Sequence, residues 1–402
     1  MTVGLAIMTN VFEERYYRIN KKFLILIGVW PYLSQPVRKR IIILISFLAV
    51  SQVVPQIIAV SKVLHDWDVA VESIPPFVIE IGVTIKMLTF TVNIKKLHRI
   101  MEHIRMDWLS LAGQPELQIL REYAENGRKL TIVYSTGIYV AAFLFLTQPT
   151  TLKILQVINF LNDSIPTKYP FPVDYYVLDM DVYYFYFLPH TYICIGVILT
   201  VLIAEETLFF VQVQHGCAMF SVLGSQLQRM DDNVTDDWTI RLRPLEDPAF
   251  AHLCNCIRNH NDVIEFSDLL ESIYSPALFS SVMLAILLIS VTGFQGAMVM
   301  EEKPTNAIRY MVFTGAQLFY LFFESYFCQK LMDHSQQVRQ YLSEAKWYRI
   351  TLHAQKLLPF ISMRTLTPCQ LTAGKIIVMS LETYTSVVKT SMSYFTLLRS
   401  MQ

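Results

Sequence analysis

Charged side chains are scarce in this sequence. They make up 16% of the 402 residues, and hydrophobic residues make up 53%. An average soluble domain carries about a quarter charged residues. The formal net charge is zero, so there is no basic excess to attract a nucleic acid. Because the apolar residues gather in blocks too long for ordinary core helices, the composition indicates an integral membrane protein.

Catalytic motifs are also missing. The sequence contains no Gly-rich phosphate loop, no HExxH and no G-x-S-x-G, and its histidines do not form an acid–base group with carboxylates. One spacing suits a metal ion, because His252, Cys256 and His260 share a helix face. Cys254 then points elsewhere and leaves three ligands, so an ordinary packed helix is the favoured interpretation. We therefore expect no enzyme activity, no metal and no other cofactor.

Seven segments are long and apolar enough, or nearly so, to cross a bilayer, which needs roughly 17–25 mainly apolar residues. They are residues 41–60, 74–92, 130–146, 183–204, 274–294, 307–323 and 375–398. The third and sixth are short, and the seventh is polar. Residues 23–33 are too short to cross and are typical of an interfacial or re-entrant helix that ends at Pro31. The first 20 residues show no cleavable signal peptide, so insertion is expected to depend on the first span.

The distribution of Lys and Arg predicts the orientation, because these residues accumulate on the cytoplasmic side. Connections on the side of the N-terminus hold 24 of them, and the opposite connections hold three, at Lys153, Lys168 and Lys303. This predicts a cytoplasmic N-terminus and an extracellular C-terminus, and it opposes the orientation of G-protein-coupled receptors. The sequon at Asn162 then lies outside, where it can be glycosylated, and the sequon at Asn233 lies inside.

Five charged residues lie in or at the ends of the spans, where ionisable groups are expensive and often functional. Glu80 and Lys86 belong to the second span, and they are expected either to support the structure or to line a cavity. Glu205 and Glu206 come at the inner end of the fourth span, and Glu324 ends the sixth. We expect these last three to reach lipid headgroups or solvent.

A polar stripe runs along the seventh span when its residues are placed on a helix at about 100° per residue. Its members are Glu382, Ser386, Lys389, Ser393 and Ser400. Leu397 lies at the edge of the stripe near the predicted outer end, where a ring of apolar side chains could close a pore by dewetting. A lipid-facing helix has no use for such a stripe, so it predicts either a pore wall or an interface between helices.

The C-terminal residues 371–402 resemble the signature of insect odorant receptors, LTAGKF-x-x-(M/L)SLETF followed by SYF and LR. The matching residues are 371–375, 380–383, Lys389, Ser391, 393–395 and 398–399. Tyr384 replaces the usual Phe, and Ile376 replaces an aromatic residue. A second group resembles the family's cytosolic linker and consists of Glu344, Trp347, Tyr348, Leu357, Leu358 and Arg364.

Two related classes fit less well. Gustatory receptors end in a TY-x(5)-QF pattern, and here no Gln-Phe follows Tyr384 at that spacing. The conserved co-receptor has a long inner loop that this chain lacks. The sequence is therefore similar to a tuning receptor, the odorant-specific subunit. A gustatory-type receptor channel and a secondary transporter remain the alternatives, although a transporter would show repeat symmetry.

The resemblance implies an all-α membrane protein with seven transmembrane helices and a cytosolic helical anchor region. Residues 1–328 would hold helices one to six with the odorant-binding bundle, and residues 329–402 the anchor helix and the pore-lining seventh helix. It also implies an odorant-gated, non-selective cation channel that forms tetramers with the co-receptor in the plasma membrane, surrounded by lipid, in sensory neuron dendrites. By the same resemblance, Leu397 forms the gate and Ser400 the outer mouth.

The resemblance further implies an odorant pocket in the outer half of the membrane, among the second, third, fourth and sixth spans. Candidates chosen by helical face are Val83, Met87, Tyr134, Gly137, Ala141, Phe187, Thr191, Cys194, Phe313 and Gln317. Apolar walls with a few polar groups suit a small volatile or hydrophobic ligand. Ordinary helix packing is the alternative for each of them.

Overall fold

The computed structural model describes residues 11–62, 67–157, 169, 172–176, 182–232, 247–300 and 304–400. Within these ranges the chain is helical apart from short turns and one small hairpin. The sequons at Asn162 and Asn233 lie outside the described residues.

Eleven α-helices follow one another along the described chain. They are α1 Arg18–Leu26, α2 Gln35–Lys62, α3 Trp67–Val92, α4 Ile94–Ser110, α5 Leu117–Val157, α6 Tyr184–Gln228, α7 Pro248–Met298, α8 Pro304–Glu344, α9 Leu352–Gln355, α10 Leu358–Arg364 and α11 Leu381–Ser400. Single 3-10 turns occur at Val11–Glu13 and Trp347–Arg349. Strands β1 (Thr372–Ala373) and β2 (Ile377–Val378) pair antiparallel, with Thr372 opposite Val378.

The seven predicted spans fall on seven of these helices, namely α2, α3, α5, α6, α7, α8 and, for the part from residue 381 onwards, α11. Five of them are long and apolar enough to cross a membrane by themselves, within Gln35–Lys62, Ile74–Val92, Leu117–Thr147, Tyr184–Gln228 and Pro248–Met298. The helices α8 and α11 fall short of that standard, and they contain the short sixth and the polar seventh segments. The all-α fold is therefore confirmed. Of the seven helices, α8 and α11 depend most on packing against neighbouring helices for their place in the membrane.

Several helices are much longer than a membrane is thick. At about 1.5 Å per residue, the 45 residues of α6 extend about 68 Å, whereas the hydrocarbon layer is about 30 Å thick. The extra length of α5, α6, α7 and α8 packs with α1, α4, α9 and α10 into a second group of helices, which we name the anchor bundle. Its interior is apolar, with Ile100, Leu120 and Phe220 fully buried.

The helix α6 forms the centre of the molecule. It packs along α5 on one side and α8 on the other, and nearly every side chain from Val201 to Gly224 is buried. The helix α7 in turn packs along α3, α8 and α11. Because α7 touches both the interior helices and the last helix, it connects the core of the chain to α11.

Two predicted boundaries are wrong. The seventh helix begins at Leu381 and not at residue 375, because Gly374 (φ 64°) and Lys375 (φ 61°) form a turn between β1 and β2. Ser380 then accepts a hydrogen bond from the backbone N–H of Thr383 at 3.1 Å and caps the new helix.

The first short helix ends at Leu26, ahead of the predicted end at Pro31. Gly28 takes the left-handed conformation (φ 75°) that stops a helix, and its N–H bonds to the carbonyl of Ile25. Val29 and Trp30 are buried as a result. They belong to the core of the anchor bundle.

Candidate functional site

The last helix has one packed face and one exposed face. Val387 and Ser391 are buried against the rest of the chain, and the Ser391 carbonyl accepts a hydrogen bond from Ser290 Oγ of α7 at 3.3 Å. The rings of Phe322 on α8 and Tyr384 meet edge to face at 5.6 Å. The predicted pore residues are all exposed in the single chain: Glu382, Ser386, Lys389, Ser393, Leu397 and Ser400. The polar stripe thus faces away from its own bundle.

The hairpin before α11 is fixed to α7. The backbone N–H of Gly374 donates to the carbonyl of Ser275 at 2.9 Å, and the N–H of Lys375 donates to Ser275 Oγ at 3.1 Å. A Cβ atom on residue 374 would lie 2.9 Å from Cδ2 of Phe279. Glycine is therefore needed here both for its positive φ and for the close approach of the turn to α7. This explains in physical terms why the signature contains a glycine at that position.

A buried charge cluster joins α3, α6 and α8. Its members are Lys86, Glu205, Glu206, Tyr320 and Glu324. Lys86 Nζ donates to Glu324 Oε1 at 2.8 Å and also bonds to Glu206 and to the Tyr320 hydroxyl. The Tyr320 hydroxyl lies 2.9 Å from both Glu206 Oε1 and Glu324 Oε1, and its one proton can be donated to either of them. These contacts satisfy a lysine that would otherwise be costly inside the membrane.

The expectation that three glutamates reach headgroups or solvent is wrong. Glu205 and Glu206 are 2% exposed and Glu324 is 1% exposed. Glu206 and Glu324 are drawn inward because Lys86 supplies the opposite charge. Glu205 borders a cavity of about 10 Å³ beside them, and neither of its carboxylate oxygens has a hydrogen-bond partner. That volume holds about one water molecule.

The predicted pocket residues divide into three groups. Val83, Met87, Tyr134, Thr191 and Cys194 are buried. Phe187, Phe313 and Gln317 are half-buried, and Gly137 and Ala141 are exposed in the single chain.

Ring contacts place three of these candidates at separate points. Tyr134 meets Phe210 at 5.4 Å, and Phe313 meets Phe145 at 5.7 Å. Phe187 stacks on Tyr175 at 4.1 Å. The α3 candidates and Thr191 and Cys194 of α6 are interior, whereas Gly137 and Ala141 of α5 lie at the surface of the chain.

Gln52, Gln56 and Glu80 form a polar cluster in the predicted outer half of the membrane, which we name the outer polar cluster. It was not predicted as a group from the sequence. Gln56 Nε2 on α2 donates to Glu80 Oε1 on α3 at 3.1 Å. Nearby on α2, Ser51 Oγ lies 3.0 Å from His190 Nε2 of α6. The sequence carries a signal for this cluster, because two glutamines one turn apart on an apolar span share a face.

The histidine and cysteine spacing on α7 does not form a metal site. His252 Nε2 lies 2.8 Å from the carbonyl of Gln226 and 3.7 Å from Cys256 Sγ. Burial lowers the pKa of His260 to about 4, and its ring packs edge to face on Phe220. Among the described residues, no three histidine, cysteine or acidic side chains are arranged to hold a metal ion. The favoured interpretation, a packed helix, agrees with these contacts.

Comparison with known proteins decides the family. The family model described as 7tm Odorant receptor matches residues 66–392, which is most of the chain. The chain belongs to the insect odorant receptor family. This confirms the resemblance carried by the C-terminal signature, and it places the chain among membrane receptors and not among enzymes.

Individual odorant receptors are distant from this one in sequence. Odorant receptor 13a of Drosophila melanogaster is 25% identical over 258 residues, which cover 60% of this chain and 58% of that receptor. Odorant receptor Or1 of Anopheles gambiae is 22% identical over 259 residues, covering 59% and 60%. The chain thus spans less than two thirds of the length of these two relatives in the alignments.

The fold is shared along almost the entire chain. The structure of the olfactory receptor OR5 from Machilis hrabei in complex with eugenol superposes with a TM-score of 0.72 at 14% sequence identity. The match covers 96% of this chain and 97% of that one. The seven-helix architecture is therefore that of an insect odorant receptor.

Proposed function

We propose that this receptor is the odorant-specific subunit of a non-selective cation channel, opened by odorants and assembled as a tetramer with the conserved co-receptor. The exposed stripe of α11 carries this proposal. Glu382 and Lys389 lie on a span, and neither is buried against its own chain. Ionised groups that face lipid are expensive, so the stripe requires water or another subunit beside it.

The shape of α11 fits a pore wall better than a simple packing face. Its polar groups continue over almost the full helix, and the large apolar side chain near its outer end, Leu397, is 54% exposed. Several copies of this helix around one axis form a polar channel with an apolar constriction. In this proposal Leu397 contributes to the gate, and Ser400 lies at the outer mouth.

The ligand in this proposal is a small volatile or hydrophobic molecule. It binds between α3, α5, α6 and α8, where Val83, Met87 and Tyr134 provide buried apolar surface. The Machilis receptor of the same fold was solved with eugenol. In this proposal the two parts of the chain have different functions: residues 1–328 bind the odorant, and residues 329–402 provide the anchor and the gate.

Location and orientation are part of the same proposal. The chain resides in the plasma membrane, expected in the dendrites of sensory neurons, with its N-terminus in the cytoplasm. The excess of Lys and Arg on the N-terminal side supports this orientation. The anchor bundle then lies in the cytoplasm and contacts the neighbouring subunits.

Co-expression tests the proposal directly. The chain is expressed with an insect co-receptor, and whole-cell currents are recorded across an odorant panel. Currents are expected only from cells that contain both subunits, with little selectivity between Na⁺ and K⁺. The co-receptor alone and the chain alone are the controls. Large odorant-evoked currents from the chain alone, or none from the pair at normal surface expression, would contradict the proposal.

A further inference from the structure

The outer polar cluster is buried yet incompletely hydrogen-bonded. Gln52 is 0% exposed, Gln56 is 3% exposed and Glu80 is 6% exposed. Beyond the bond from Gln56 to Glu80, three oxygens have no partner: Gln52 Oε1, Gln56 Oε1 and Glu80 Oε2. One donor, Gln52 Nε2, is also unmatched. The cluster therefore has more acceptors than donors, and buried unmatched acceptors are costly.

The charge of the cluster is unbalanced as well. Glu80 forms no ion pair within the described part of the chain, whereas Lys86, less than two turns further along α3, pairs with Glu206 and Glu324. A buried carboxylate without a cation is one of the least stable groups in an apolar environment. A cation that donates hydrogen bonds would correct both deficits.

The cluster is continuous with the proposed odorant pocket. On α3, Glu80, Val83 and Met87 follow at spacings of three and four residues, so they share one face. All three are buried. Glu80 therefore places a polar end on the apolar wall formed by Val83 and Met87.

Segment 172–176 is held against the end of α2. The N–H of Asp174 donates to the carbonyl of Pro55 at 3.0 Å, and its carboxylate pairs with Lys62 at 2.6 Å. The Tyr175 hydroxyl lies 2.8 Å from His190 Nδ1. Pro55 precedes Gln56 in the chain, so a strap held by one ion pair and two hydrogen bonds lies next to the cluster.

We propose that the outer polar cluster binds the ammonium group of a primary amine odorant, with the carbon chain of the ligand along Val83 and Met87. An ammonium group has three N–H donors, no acceptor and one positive charge. It therefore matches the three unmatched oxygens and the lone carboxylate. An alcohol of the same length brings one donor and no charge, so it satisfies the cluster only in part. This inference rests on the proposed function for its channel readout.

Matched ligands and variants test the inference in the co-expressed channel. Wild type is expected to respond to hexylamine at concentrations about tenfold below those for 1-hexanol, since about 1.4 kcal/mol of binding corresponds to tenfold. Glu80→Gln keeps the shape but removes the charge. It should lower the potency of hexylamine about tenfold and change that of hexanol less than threefold. Glu205→Gln removes another buried, unmatched carboxylate, and it should leave the ratio of the two potencies as in wild type.

Three results of the current recordings would overturn the inference. They are an equal loss of potency for both ligands in Glu80→Gln, a wild-type preference for hexanol, and a ratio that shifts equally in Glu205→Gln. Thermal unfolding of the purified receptor provides a readout that needs no current. If hexylamine stabilises wild type and Glu80→Gln abolishes this stabilisation, the amine site is supported. This holds even if no odorant opens the channel, because the absence of current would contradict only the proposed function. Absence of stabilisation in wild type overturns the amine site.

Discussion

Lys86 Nζ and Glu324 Oε1 lie 2.8 Å apart, although 238 residues separate them in the chain. The contact joins α3 to α8, and Glu206 adds α6 to the same cluster. Side-chain exposure of 8% or less at all three residues means that each charge depends on the others for its stability.

Removal of the lysine should therefore destabilise the receptor. Lys86→Met leaves the buried carboxylates without a cation, and breaking such a pair costs about 3–5 kcal/mol. We expect a lower melting temperature and less protein at the cell surface, measured by fluorescence-detected size-exclusion chromatography. Lys389→Met, on the exposed face of α11, is the control and should change stability little. The double variant Lys86→Met/Glu324→Gln should recover part of the loss, and a larger loss would contradict this account.

The gate is tested at Leu397. Leu397→Ser replaces an apolar side chain in the proposed constriction with a hydroxyl, which admits water to a narrow pore. We expect a larger resting current without odorant in the co-expressed channel, graded because this subunit supplies only part of the ring. The matched control is Leu44→Ser on α2, where the leucine is 58% exposed. If resting current, permeability and open-channel block are all unchanged in Leu397→Ser, the stripe is a packing surface.

The hairpin turn should be sensitive to the smallest substitution. Gly374→Ala introduces a methyl group 2.9 Å from Phe279 Cδ2 at a positive φ. Gly113→Ala also places a side chain on a residue with positive φ (+83°), but no atom lies within 4 Å of the new Cβ. Left-handed backbone costs about 1–2 kcal/mol in a residue with a side chain. We expect Gly374→Ala to lower the melting temperature clearly more than Gly113→Ala, and equal effects would show that Phe279 moves aside freely.

Acidification should weaken the anchor bundle through His260. Burial lowers the pKa of this imidazole from 6.5 to about 4, so the folded state disfavours its charged form. The neutral ring leaves stability intact above pH 6.5, and stability falls as the pH drops from 6.5 towards 4. Melting temperatures of purified wild type and His260→Leu are compared between pH 7.5 and 4.5. The variant should show a shallower decline, and equal slopes in the two proteins would contradict this account.

The helices could be predicted from the sequence because their signals are local. The apolar segments identified all seven spans, and the period of the polar stripe identified the exposed face of α11. The start of α11 was misjudged, because Ile376, Ile377 and Val378 extend the apolar run backwards into what is a hairpin. The left-handed turn at Gly374 and Lys375 makes this stretch a hairpin, and an apolar average does not detect a turn.

The buried polar groups could not be assigned in the same way. Glu205, Glu206 and Glu324 each lie near a predicted helix end, where an exposed position is the simplest local expectation. The burial of Glu206 and Glu324 depends on Lys86, which lies more than a hundred residues earlier. Likewise, Gln52 and Gln56 on α2 can be recognised as part of a cluster only when the packing of α3 against α2 is known, because it places Glu80 beside Gln56. Pairings between distant segments are set by the fold and not by any local pattern.

The distance along the chain between Lys86 and its partners has a consequence for biogenesis. At roughly 5–20 residues per second, the ribosome needs roughly 10–50 seconds to make the 238 residues that separate Lys86 from Glu324. During that time α3 has already been synthesised, while α8, which falls short of the apolar length of a self-sufficient span, has not yet been completed. For that time after its own synthesis, Lys86 therefore lacks its last acidic partner.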